Sequence, residues 1–236
     1  MHTPTGRTFL LAVVLTGSFL AGGGDRASLA LLTDSENDPG TFSTASTFAL
    51  PTTDYLHNNP TPPTGNTNSQ ANLSMDATAP TAATLRNYDQ DRDSSAGLVL
   101  DKGGSGVGET DLRKYQNWRT AALTSARTID GTVTLDFWSA IKDFGLGRRG
   151  VVTAFLRDFN PSTSAYTTIG SGTLDVANWQ GGSGTWVNKS LTFSVSSYTV
   201  AVGRRIELKL IVDNSADDRM WFAYDTTVYP SKLTIP

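Results

Sequence analysis

Near the C-terminal end of the chain, Ile206, Leu208, Leu210 and Val212 interleave with Glu207, Lys209, Ile211 and Asp213. A period of two places each set on one face of a pleated strand, and it does not match the 3.6-residue turn of a helix. The pattern recurs. Val133, Leu135 and Phe137 share one face of the stretch from Gly131 to Trp138, and Leu191, Phe193 and Val195 share one face of Thr185–Val195. Leu98–Leu100, Val151–Leu156, Tyr166–Leu174, Met220–Tyr224 and Lys232–Ile235 add further short runs, with Gly, Asn, Asp and Pro between them. No stretch carries a sustained helical stripe; Asp111–Ala122 is the best candidate for a short helix or turn. About eight to ten strands with turn residues between them predict an all-β fold, an antiparallel jelly-roll-like β-sandwich over residues 85–236.

Composition narrows the chemistry. The 236 residues include no Cys and two His, with a formal net charge of −3. Disulfides, thiolate nucleophiles and Cys-based metal sites are excluded. The acidic balance argues against nucleic acid as a partner. His2 falls in a predicted leader, and His57 falls in a Pro/Asn/Thr-rich stretch that reads as outside the folded domain. A Ser-His-Asp arrangement would therefore have to draw its base from an apparent linker. The three glutamates, Glu36, Glu109 and Glu207, mark no carboxylate pair; Glu207 is predicted on a polar strand face.

Arg7 and the apolar run Phe9–Ala21 predict a secretory signal peptide over residues 1–30, with Ser28-Leu29-Ala30 as its cleavage site. The run is shorter than the roughly 20 residues of a membrane span, so no membrane association is expected after cleavage. Residues 31–84 read as an extended arm and Pro/Thr/Asn-rich linker. No Lys or Arg occurs between Arg26 and Arg86, and Pro51–Pro80 has little apolar periodicity. Phe42 and Phe48 could anchor a short strand in the arm.

Ala30-Leu31-Leu32-Thr33-Asp34 and Thr41–Phe48 resemble the leader junction of secreted proteins of the camelysin/TasA type. Leu32 stands where that family usually has an aromatic, and Gly40 where Asn is common. The resemblance implies export by a dedicated signal peptidase and a cell-surface role. Asn87-Tyr88-Asp89-x-Asp91-Arg92-Asp93, Trp221–Thr226 and Tyr229-Pro230-Ser231 resemble the C-terminal jelly-roll sandwich of uncharacterised bacterial surface proteins.

Three features carry candidate chemistry. Asp89, Asp91 and Asp93 form a D-x-D-x-D run whose carboxylates could converge on Ca²⁺, with Asp217 and Asp218 as further ligands; a solvated acidic turn is the alternative. Trp138, Trp179 and Trp186 could stack on sugar rings, or pack in the sandwich. Gly103–Thr110 nearly matches a phosphate-binding loop, but Glu109 replaces the lysine and would repel phosphate. Without Cys, a sandwich can also be cross-linked between Lys and Asn side chains. Lys189, Lys209 and Lys232 lie on predicted strands, but a buried Lys–Asn–acid triad is not visible in sequence.

The reading is a secreted, cell-surface, non-enzymatic β-sandwich with a structural or adhesive role, self-associating through its arm in a matrix or filament. The alternative is a carbohydrate-binding module whose exposed aromatics hold a glycan, supported by calcium. A hydrolase with two Asp on a concave face is the third reading.

Overall fold

The computed structural model describes residues 51–58, 73–86, 88, 97–141, 147–181 and 185–236. The expected signal peptide, the arm to residue 50 and Asp89, Asp91 and Asp93 lie outside the described residues.

Among the described residues eleven strands account for the regular structure: β1 (Thr52–Leu56), β2 (Leu73–Asp76), β3 (Leu98–Leu100), β4 (Tyr115–Arg119), β5 (Arg127–Ile141), β6 (Gly150–Asn160), β7 (Ala165–Val176), β8 (Val187–Val200), β9 (Arg205–Val212), β10 (Met220–Ala223) and β11 (Lys232–Ile235). The described residues contain no helix. Asp111–Ala122 holds β4 rather than a helical turn, its strand residues pairing with β9 from Tyr115↔Ile211 to Arg119↔Glu207.

The strands follow the order β3-β10-β5-β11-β1-β2-β4-β9-β6-β7, with β8 also paired to β5. Every strand pair is antiparallel except β2 with β4. The fold is thus all-β and mostly antiparallel, as the alternation predicts. β2 joins the two halves of the path, pairing with β1 on one side and β4 on the other. At the far edge β7 packs against β8 without sharing a ladder. A Cβ on Gly172 would lie 2.9 Å from Phe193 Cβ, so the close approach requires glycine there.

Val133, Leu135 and Phe137 of β5, Leu191, Phe193 and Val195 of β8, Val152, Ala154 and Leu156 of β6, and Ile206, Leu208, Leu210 and Val212 of β9 all enter one core. In β5, β8 and β9 the inward sets are the ones that the period-two reading picks out.

The predicted linker is corrected at both its ends. Thr52, Thr53 and Tyr55 supply β-branched and aromatic side chains to β1, which pairs with β11 from Thr52↔Ile235 to Tyr55↔Lys232. Leu73 and Met75 of β2 are buried. The folded unit runs from Pro51 to Pro236, so its boundary lies upstream of residue 85.

Candidate functional site

The three predicted sugar-stacking tryptophans have different fates. Trp179 is 0% exposed, and this corrects its reading as a ligand-binding residue. Its backbone N–H donates to the Arg148 carbonyl at 2.8 Å. Its ring lies 6.4 Å from that of Phe137, and any Cβ on Gly150 would collide with it. Trp179 is a core residue. Trp138 and Trp186 are half-buried and meet at Tyr229, with ring centroids 5.3 Å and 5.8 Å from it. Trp186 also packs on a second small apolar cluster of Val99, Ala140 and Trp221.

Asp217 and Asp218, the proposed extra calcium ligands, already accept backbone hydrogen bonds. Asp217 Oδ2 accepts from the Arg149 N–H at 2.6 Å, and Asp218 Oδ1 from the Arg219 N–H at 2.8 Å. No group of three or more His, Asp or Glu side chains among the described residues is placed to hold a metal ion.

His57 lies inside the fold, contrary to expectation. β1 and β2 pair as Tyr55↔Asp76 and Leu56↔Met75, and the His57 N–H continues the pairing to the Ser74 carbonyl at 3.0 Å. Nδ1 lies 3.0 Å from Asp225 Oδ1, and Nε2 lies 3.4 Å from Asp76 Oδ1. The Asn58 N–H holds the other Asp225 oxygen at 3.0 Å. Asp225 is itself in the left-handed region, with φ of 57°. The hydrogen bond to Asp225 raises the imidazole pKa; burial opposes it and the Asp76 charge adds to it. The ring is therefore suited to be an imidazolium clamped between two carboxylates. Among the described residues, no hydroxyl is hydrogen-bonded to Nε2.

The outer face of β4, β9 and β6 carries a second polar cluster. The registers align Arg119, Glu207 and Arg157 in one cross-strand row, and Asn117, Lys209 and Phe155 in the next. Glu207 accepts from Arg157 Nη2 at one oxygen, and from Arg119 Nε and Asn117 Nδ2 at the other, the last at 3.0 Å. Lys209 Nζ donates to the carbonyls of Val107 (2.9 Å) and Glu109 (2.5 Å), and stands 4.2 Å from the Tyr115 ring centroid. Arg119 covers Phe159, and Arg157 covers Tyr166. Burial, and then the Arg157 charge, depress the Lys209 pKa to about 8.

Glu207 lies on the polar face of its strand, as expected, but that face is covered and the side chain is buried. The covering element is the glycine loop once compared with a phosphate-binding loop. The Glu109 carboxylate turns back to accept from Ser105 N, Ser105 Oγ, Thr110 N and Asp111 N. Its own side chain thus fills the place where a phosphate would sit, and its carbonyls face the sheet. The polar alternation in β9 was visible in sequence; the loop lying over it was not.

No family model matches the chain, and no curated protein matches it. Solved structures do share its fold. A CocE/NonD family hydrolase from Staphylococcus aureus matches with a TM-score of 0.54 at 12% identity, over 84% of this chain and 38% of that one. An aminopeptidase from a marine sediment Thaumarchaeota archaeon matches with a TM-score of 0.54 at 10% identity, over 79% of this chain and 36% of that one. The chain spans well under half the length of either. At such identities the likeness is one of fold. It corrects the expectation of a non-enzymatic structural or adhesive protein, because the two solved structures that share the fold over most of this chain are hydrolases.

Proposed function

We propose that the chain is the β-sandwich module of an exported hydrolase, working with a catalytic unit that lies outside residues 51–236. The observation that carries this reading is the asymmetry of the match: most of this chain corresponds to just over a third of each hydrolase. The chemistry of the described residues agrees with it. Among the described residues, His57 has a carboxylate at each ring nitrogen and no hydroxyl hydrogen-bonded to Nε2, which fits a module whose reaction is carried by a second unit. The leader read at residues 1–30 supports export.

The test is hydrolysis of aminoacyl-p-nitroanilides and p-nitrophenyl esters. The purified chain alone is expected to turn over neither class. The same chain, immobilised and exposed to the exported proteins of its source cell, is expected to retain an activity against one of them. Turnover by the chain alone would place the catalytic unit within it. A retained fraction without hydrolytic activity would overturn the reading.

A further inference from the structure

The charged cluster on the outer face of β4 and β9 has no role in the reading above. We propose that Lys209 and Asn117 join through an intramolecular amide bond, with Glu207 as the proton carrier.

Four observations carry this. First, Asn117 and Lys209 are direct partners in the antiparallel β4–β9 register. Their side chains share a face, with Cβ atoms about 4.5–5.5 Å apart. Second, all three groups are withdrawn from water: Lys209 is 3% exposed, Asn117 4% and Glu207 0%. Buried lysine is rare, and here the Glu207 and Glu109 carboxylates only partly offset what burial and Arg157 cost its cation. Third, the environment favours the neutral amine that such a reaction needs, since burial and Arg157 hold the lysine near pH 8. The carbonyls of Val107 and Glu109 take two N–H bonds, which leaves the nitrogen's remaining position to its lone pair. Fourth, Glu207 Oε2 already accepts from Asn117 Nδ2, the nitrogen that would leave.

The step balances without oxidant, metal or cofactor. After a rotation of the Lys209 side chain, its neutral amine attacks Asn117 Cγ and a C–N bond forms. The Glu207 carboxylate takes a proton from the attacking nitrogen and returns it to the departing Nδ2. The original Cγ–Nδ2 bond breaks, and ammonia leaves. The product is a secondary amide joining β4 to β9, formed under the 103–110 loop that shields the site from water.

The experiment is intact-mass spectrometry of the purified full chain after incubation at pH 8–9. The expected result is a mass about 17 Da below that of the sequence, as loss of one ammonia requires, and a peptide in which Asn117 is joined to Lys209. The Lys209→Met variant should return to full mass. Cyclisation of an asparagine elsewhere also loses ammonia, so a deficit that persists in Lys209→Met overturns the proposal. So does a wild-type chain that stays at full mass after days at pH 9. The wild-type measurement decides this even if the variant fails to fold.

Discussion

At the scale of single residues, burial separates side chains that look alike in sequence. Trp138 lies in β5 and Trp179 just past β7, yet the first is half-buried beside Tyr229 and the second fills the core. Trp179→Ala should therefore cost about 3–5 kcal/mol in denaturant unfolding, as truncations of large buried aromatics do. Trp138→Ala should cost clearly less, and equal losses would contradict the assignment. His57 makes a pH-dependent contribution. Its pKa is raised above 6.5, chiefly by the hydrogen bond to Asp225. The folded state therefore binds the proton more tightly than the unfolded one. The stabilisation is complete below pH 6.5 and is lost as pH rises through the raised value. Thermal melts should show the wild-type advantage over His57→Gln shrinking as pH increases above 6.5; an advantage that grows would invert the sign. Lys209 titrates the other way. Its pKa falls from 10.5 to about 8, so the rate of ammonia loss should climb with pH and level off above about 8. A rate flat from pH 6 to 10, followed by mass, would contradict a neutral-amine step.

Among the elements, the legible strands are those with one buried face. In β5, Val133, Leu135 and Phe137 are buried while Thr132 is exposed, and the period-two reading assigns them correctly. In β9 the reading assigns the core face but not the burial of the other, because both faces are covered: Glu207 and Lys209 are as buried as Leu208 and Leu210. Sequence alternation reports polarity, not what lies above it, so a loop folded over a polar face leaves no local trace. β1 was illegible for a different reason. Its five residues sit between Pro51 and the Asn58-Asn59-Pro60 run, and its ladder partner β11 is at the other end of the chain. His57 finds Asp225 168 positions away, which no local spacing could show. The β7–β8 edge gives a test at this scale. Gly170 and Gly172 meet Leu191, Phe193 and Val195 directly, so Gly172→Val should destabilise by about 1–3 kcal/mol through overpacking, read by chemical unfolding. A neutral substitution would mean that the two strands do not pack as described.

For the molecule as a whole, the period-two pattern foretold the all-β class, but function could not be read from class alone. The sequence reading weighed scarce histidine as a sign of a non-catalytic surface protein. The fold is instead one shared with parts of two solved hydrolases, and it is the proposal above that reads the chain as such a module. If the amide between Asn117 and Lys209 forms, it also closes a loop of about 90 residues. By the chain-entropy argument such a cross-link adds about 4–5 kcal/mol of stability, a large gain for a chain that has no cysteine to form disulfides. The module reading is tested most directly by the kinetics of the retained hydrolase, separated from the chain and assayed with and without it. The account predicts that adding the chain back raises kcat/KM toward its preferred ester or anilide, saturating as the two bind. An unchanged kcat/KM at saturating chain would contradict it.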